Sequence, residues 1–249
     1  MKQMGPGIPS PSMQMNTISL PDIVDIDVWK AAHAALLLEE KALTKARDAI
    51  AAKRRRMPMT PVRPDYRFVG PEGDVDLLGM FQGRRQLIVY RFFYAPDVVN
   101  WPDGACPGCS WLADSMTHHA HLAARDTTLV FVTAAPQDRV ATYKRRMGWD
   151  IPFYTLIGDE FSNDFDVSEM FGFNVFIREG DKVFRTYFVN GRGAETIGPM
   201  FSLLDLTPLG RQEEWEDSPP GRPQGKPYEW WRLHDSYGDI AAPDLARDA

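Results

Sequence analysis

The chain predicts an α/β sandwich built on a mixed central sheet, with one long helix ahead of it. Two strongly apolar stretches, 87–94 and 128–133, read as buried central strands with a helical stripe between them. A hairpin pattern follows, pairing 175–177 with 183–188 across the turn Glu179-Gly180-Asp181. The order strand, helix, strand, helix, antiparallel hairpin and terminal helix is that of a mixed sheet covered on both faces, a three-layer arrangement.

Residues 1–21, rich in Pro, Gly and Met, read as a flexible leader. From 22 to 57 the pattern becomes an amphipathic helix. Trp29, Leu36, Leu37, Leu43 and Ile50 recur at helical spacing among Glu39, Glu40, Lys41, Lys45, Arg47 and Asp48, and Pro58 stops it. Such a face needs a surface to cover, either the chain's own domain or a second copy, so a homodimer through this helix is one expectation. The basic run 53–56 reads as a solvated helix end that complements the dipole, not as a nucleic-acid patch.

The sandwich is expected over 58–204. It opens with 66–69, a glycine turn at 70–73 and the segment 74–81. After the second central strand, Pro136 opens a helix with Val140, Tyr143 and Met147 on one face, and Gly148 closes it. A short strand at 153–157, a helical stretch at 163–170 and a last helix at 195–204 complete the unit. Residues 205–249 carry Pro208, Pro219, Pro220, Pro223 and Pro227 with Trp215, Trp230 and Trp231. This segment is too proline-rich for regular structure, and its tryptophans predict that it docks on the domain.

The composition, 44% apolar and 25% charged with a net charge of -6, points to a soluble acidic protein and away from nucleic-acid binding. Its most apolar run, 87–95, is interrupted by Arg91 and far shorter than the ~20 residues of a membrane span. No secretory signal pattern stands at the N-terminus. The expected compartment is therefore the cytoplasm, without membrane partners. There, a closely spaced cysteine pair reads as a catalytic, redox-sensing or metal-binding dithiol and not as a structural disulfide.

The chain has 2 cysteines, and they form Cys106-Pro107-Gly108-Cys109. Cys109, Leu112, Ala113, Met116 and Ala120 make an apolar helical stripe, so the motif opens a helix. Pro107 suits the first helical position, where its missing N–H costs nothing. Cys106 then falls at the cap, beside unpaired N–H groups and the positive end of the dipole, which favour its thiolate. That makes Cys106 the attacking sulfur and Cys109 the resolving one.

Arg91 is a candidate for tuning the thiolate, or else the partner of a core carboxylate. Trp101 and Trp111 are candidates for a substrate rim. Asp103, just before the motif, opposes thiolate formation if it lies close. His118, His119 and His121 raise a zinc alternative, but nine residues of helix would carry His118 about 13 Å from Cys109. Solvated roles, including an i, i+4 pair of Asp114 with His118, fit them better.

The motif strings widen the reading. The runs 54–59, 83–90, 106–110, 125–130 and 144–149, the pair Thr186-Tyr187, and the late Arg232, His234, Asp235 and Tyr237 resemble the bacterial thioredoxin-like family known as domain-of-unknown-function family 899. The resemblance covers 29 to about 237. It implies a thioredoxin-like sandwich and a dithiol–disulfide oxidoreductase or isomerase that acts on protein or small-molecule disulfides and thiols and needs no metal or organic cofactor. A non-catalytic redox sensor or interaction module on the same fold is the alternative.

Two departures stand out. The cis-proline of thioredoxins would fall at Phe173 or Asn174, with Pro152 the nearest proline. The peroxiredoxin pattern would need threonine at Asp103 and proline at Val99, so a hydroperoxide site is not expected.

Overall fold

The computed structural model describes residues 18–95, 98, 104–168 and 171–238. In chain order the elements are α1 (Ile26–Arg54), β1 (Thr60–Val62), β2 (Arg67–Gly70), β3 (Gly73–Asp76), β4 (Gln86–Arg91), α2 (Pro107–Asp114), α3 (His119–Ala123) and β5 (Thr127–Thr133). They continue with α4 (Gln137–Met147), β6 (Phe153–Leu156), α5 (Glu160–Asp164), β7 (Gly172–Glu179), β8 (Lys182–Val189), α6 (Arg192–Glu195) and α7 (Pro199–Leu204). The strands form one sheet in the order β1-β8-β7-β4-β5-β6-β2-β3. Its centre is the parallel pair β4 and β5, flanked by antiparallel β7 and parallel β6. The mixed sheet and the order of its elements are as the sequence predicts.

Alternation along β4 divides the interior into two cores. Ile88, Tyr90 and Phe92 face the α2 and α4 side, where Cys109, Leu112, Val140, Tyr143 and Phe201 gather. Leu87 and Val89 face the opposite core, with Phe68, Phe81, Phe161 and Phe176. The dithiol thus sits at the end of the first central strand, in the first of these layers.

Three expectations change. The dithiol helix does not run on to Ala120. It ends at Asp114, and the Ser115 hydroxyl donates back to the Trp111 carbonyl at 3.1 Å. The extended backbone of His118 then restarts the chain as α3, its Nδ1 accepting from the Ala120 N–H at 3.2 Å. Likewise the terminal helix, expected over 195–204, begins only at Pro199, with the separate turn α6 ending at Glu195 before Gly198-Pro199. Proline fits only the first turn of α7, and a side chain on Gly198 would strike the Trp111 ring.

The third change is α1. Asp25 caps it, accepting from the Asp27 and Val28 N–H groups at 3.0 Å each, but none of its residues is buried. Trp29, Leu36 and Leu43 are 54%, 54% and 53% exposed, and Leu37 is only partly covered. Its end is tied down where the Arg54 guanidinium lies 5.1 Å over the Tyr187 ring and β1 joins the sheet edge at β8. Among the described residues, none covers the apolar face of this helix.

After α7 the chain holds no α-helix or strand among the described residues, only a 3-10 turn at His234–Ser236. It is nonetheless docked. Leu233 is buried in the α2-side core, with Trp230 and Trp231 packed against it, while Trp215 stays 42% exposed. The organising group is the Glu213 carboxylate, fully buried, which accepts from the Tyr228 N–H, the Trp230 Nε1 and the Trp215 Nε1 at 2.7 to 2.8 Å. Outer ties join Asp235 to Arg146 at 2.7 Å and His234 to Asp114 at 2.9 Å.

Candidate active site

Cys106 is the N-cap of α2 and Pro107 its first residue, the local arrangement that proline at position N1 favours. The Cys106 sulfur accepts from the Cys109 N–H at 3.5 Å. Its thiol is pulled down to about pH 7, first by the hydrogen bond from the Cys109 thiol, then against burial by the N–H groups of Cys109 and Gly108. Cys109 is buried, and burial followed by the neighbouring Cys106 sulfur pushes its own pKa well up. The two thiols therefore differ in exposure and acidity in the sense the sequence predicts.

Tyr90 is the residue that reading of the sequence missed. Its hydroxyl donates to the Cys109 sulfur at 3.2 Å, and the Phe93 N–H reaches the same sulfur at 3.5 Å. Both favour the Cys109 thiolate against its burial. The signal was present in the alternation of β4, since Tyr90 lies on the face that turns towards the dithiol helix. A Tyr90→Phe change should slow alkylation of Cys109 in a Cys106→Ser background by roughly ten- to a hundredfold, the value of a hydrogen bond to a charged group. Equal rates would show that the hydroxyl does not act on this sulfur.

Arg91 does not reach Cys106. It follows Leu87 and Val89 onto the far face of the sheet, is 6% exposed, and donates from Nη1 to the Phe92 carbonyl at 2.6 Å. Burial lowers its pKa, with Cys109 the first of the groups that oppose this. Its field is thus felt at the deeper sulfur, and among the described residues no carboxylate hydrogen-bonds it. Trp111 does line the site, while Trp101, Asp103 and Val99 lie outside the described residues. Asp114 pairs with His234 and with the Trp149 Nε1 rather than with His118.

The residue before β7 is Phe171, and Phe173 and Asn174 lie inside that strand, so the expected proline position moves back to Phe171. Pro152 belongs elsewhere, ahead of β6 and bonded through its carbonyl to Phe131.

Around the sulfurs lies a cavity of about 320 Å³. Its walls are Trp111 from α2, Phe171 before β7, Ala194 and Phe201 from α6 and α7, and Tyr228 and Trp231 from the C-terminal segment. Trp231 stacks on Trp111 with 5.8 Å between ring centroids and 12° between planes. It also lies against Gly108, where a Cβ would fall inside the ring's van der Waals envelope. Glycine stands in the motif because of that contact.

A lowered pKa sets the pH dependence. The Cys106 thiolate, being easier to form in the folded chain than the ordinary value of 9.0, makes the reduced protein gain stability as pH rises from about 7 towards 9 and lose it as pH falls through 7. Alkylation by iodoacetamide should fall first on Cys106, with a half-maximal rate near pH 7. Preferential labelling of Cys109, or an inflection at the ~8.5 of a free thiol, would overturn the assignment.

Fold and site together define a mixed α/β protein with a helix-capping dithiol. The family described as a bacterial protein of unknown function, DUF899, matches residues 18–237, and the chain belongs to it. Comparison with curated proteins gives no match. Among solved structures, similarity extends to a hypothetical protein, SMc02350, from Sinorhizobium meliloti 1021, at 13% identity over 55% of this chain and 74% of that one, with a TM-score of 0.41. It extends also to a putative thiol:disulfide interchange protein DsbE from Chlorobium tepidum, at 13% identity over 57% and 93%, with a TM-score of 0.39. A secreted Mycobacterium tuberculosis disulfide oxidoreductase homologous to E. coli DsbE aligns at 15% identity over 52% and 85%, with a TM-score of 0.36.

Proposed function

We propose that the protein is a thiol–disulfide oxidoreductase. The observation that carries this reading is the division of labour in one dithiol: Cys106 at a helix cap with a pKa of about 7, and Cys109 buried beneath it with a raised one. The Cys106 thiolate attacks a disulfide sulfur, the S–S bond breaks, and one half leaves as a thiolate that takes up a proton. Cys109 then loses its proton, assisted by the Tyr90 hydroxyl, and attacks the Cys106 sulfur. The second half leaves as a thiol, and the dithiol has given up two electrons to become a Cys106–Cys109 disulfide.

The test is turnover of 2-hydroxyethyl disulfide with a dithiol reductant present. Consumption of many equivalents per dithiol supports the enzyme. One equivalent followed by arrest identifies the alternative, a redox sensor on the same fold. No described helix is long and apolar enough to cross a membrane. The proposed setting is the cytoplasm, where dithiols are kept reduced.

We further propose that a second copy of the chain covers α1. Trp29, Leu36, Leu43 and Ile50 are spaced seven residues apart and all exposed, the pattern of a helix–helix seam. Antiparallel pairing sets Leu36 opposite Leu43 and Trp29 opposite Ile50 of the second copy. It also places the acidic start, Asp25 and Asp27, beside the basic end, Lys53 to Arg56. Sedimentation should show a dimer that Leu36→Glu with Leu43→Glu converts to a monomer of unchanged melting temperature. A full-length monomer at micromolar concentration would end this proposal.

A further inference from the structure

We infer that the dithiol acts on low-molecular-weight disulfides bearing an uncharged, ring-sized apolar group, which the cavity beside Cys106 holds. This rests on the exchange reading above and names its substrate class. Cys106 does not stand on an open ridge. It is partly exposed and lines the cavity, and the Trp231 ring that the C-terminal segment brings in packs against Gly108 two residues on. A disulfide whose sulfur meets Cys106 there gains most if it carries a group that enters the cavity. One flanked by two folded main chains presents no such group.

Size and lining choose the group. About 320 Å³ is at the small end of ligand pockets, and the walls are the rings of Trp111, Phe171, Phe201, Tyr228 and Trp231. Aromatic walls favour an aromatic or bulky aliphatic occupant.

Charge then disfavours the common anionic disulfides. Among the described residues the charged lining groups are Arg192 and Glu195, and they pair with each other at 3.5 Å. Glu195 is held further by Arg211 at 2.9 Å and by the Tyr228 hydroxyl at 2.9 Å, while the Arg192 guanidinium lies 4.0 Å over the Trp215 ring. The rim cation is thus engaged with an internal carboxylate and an indole. A carboxylate on the substrate would have to break that arrangement.

The chemistry balances as for any exchange. Cys106 forms a mixed disulfide with the ring-bearing thiol, Cys109 releases that thiol, and an external dithiol such as dithiothreitol restores the reduced pair.

The experiment compares kcat/KM for three probes of similar thiol acidity or known use. These are the mixed disulfide of 2-phenylethanethiol with 2-mercaptoethanol, 2-hydroxyethyl disulfide and oxidised glutathione, with insulin as a protein substrate. Each rate is divided by that of free dithiothreitol with the same probe, which removes intrinsic reactivity. The phenylethyl probe should exceed the hydroxyethyl one by at least about tenfold on this scale, the size of discrimination apolar pockets achieve. In Trp231→Ala and in Phe171→Ala that ratio should fall towards one, and a ratio rather than a rate is read so that partial loss of folded protein cancels.

A ratio near one in the wild type, or a preference for oxidised glutathione or insulin, overturns the substrate class and leaves the exchange reading standing. Failure of Cys106 to react with any of the four overturns the exchange reading itself.

Discussion

Cys106→Ser should capture no disulfide substrate, whereas Cys109→Ser should accumulate a mixed disulfide that persists until reductant is added. The asymmetry follows from position. Both sulfurs border the cavity, but Cys106 is the more exposed and carries the lowered pKa, so replacing it removes the nucleophile and all turnover. Cys109 lies beneath, and its loss leaves the attack intact but removes the internal leaving step. Steady-state activity falls to background in both, yet non-reducing mass spectrometry separates them by the mass of the bound half-disulfide. Equivalent behaviour of the two variants would point to the non-catalytic module, since packing and docking do not require exchange.

Glu213→Ala should free the C-terminal segment from the active-site face. The carboxylate satisfies three donors, and removing it strands the Tyr228 N–H and the indole N–H groups of Trp215 and Trp230. Each stranded donor costs about 1–3 kcal/mol, against a whole-domain stability of about 5–15 kcal/mol. Because the ties of Asp235 and His234 are on the surface and worth little, the segment should open locally before the sheet melts. Limited proteolysis after residue 205 and alkylation of Cys109 should both rise sharply. Glu213→Gln, which keeps one acceptor but turns an N–H₂ towards a donor, should fall between. Unchanged protection of Cys109 in the alanine variant would show that the segment is held by other means.

Much of the sheet was legible because its signals are local. The 87–94 and 128–133 runs are strongly apolar, broken in the first only by Arg91, as strands buried on both faces tend to be, and the hairpin announced its own turn. Pro107 at a helix start and a cysteine at its cap are equally local, so the cap position of Cys106 and the burial of Cys109 could be read from four residues.

What could not be read depends on contacts far apart in sequence. Tyr90 meets Cys109 across 19 residues, and Trp231 meets Gly108 from the other end of the chain. Which sulfur Arg91 acts on could not be read either, because one residue of strand register decides which face a side chain takes. Similarly, the apolar stripe of the dithiol helix continued past its true end, since periodicity does not see a serine folding back on the preceding turn.

The docking of Trp231 on the motif gives the site a temporal order. The dithiol leaves the ribosome some 120 residues before the tryptophan that covers it, which at about 5–20 residues per second is a lag of roughly 6 to 24 s. For that interval the growing chain carries the Cys-Pro-Gly-Cys pair without the indole that later packs against it. Under the exchange reading proposed above, the dithiol would gain its filter only when Trp231 docks on the start of α2. Arrival of that one side chain, and not the folding of the sheet, would then be the event that makes the dithiol selective.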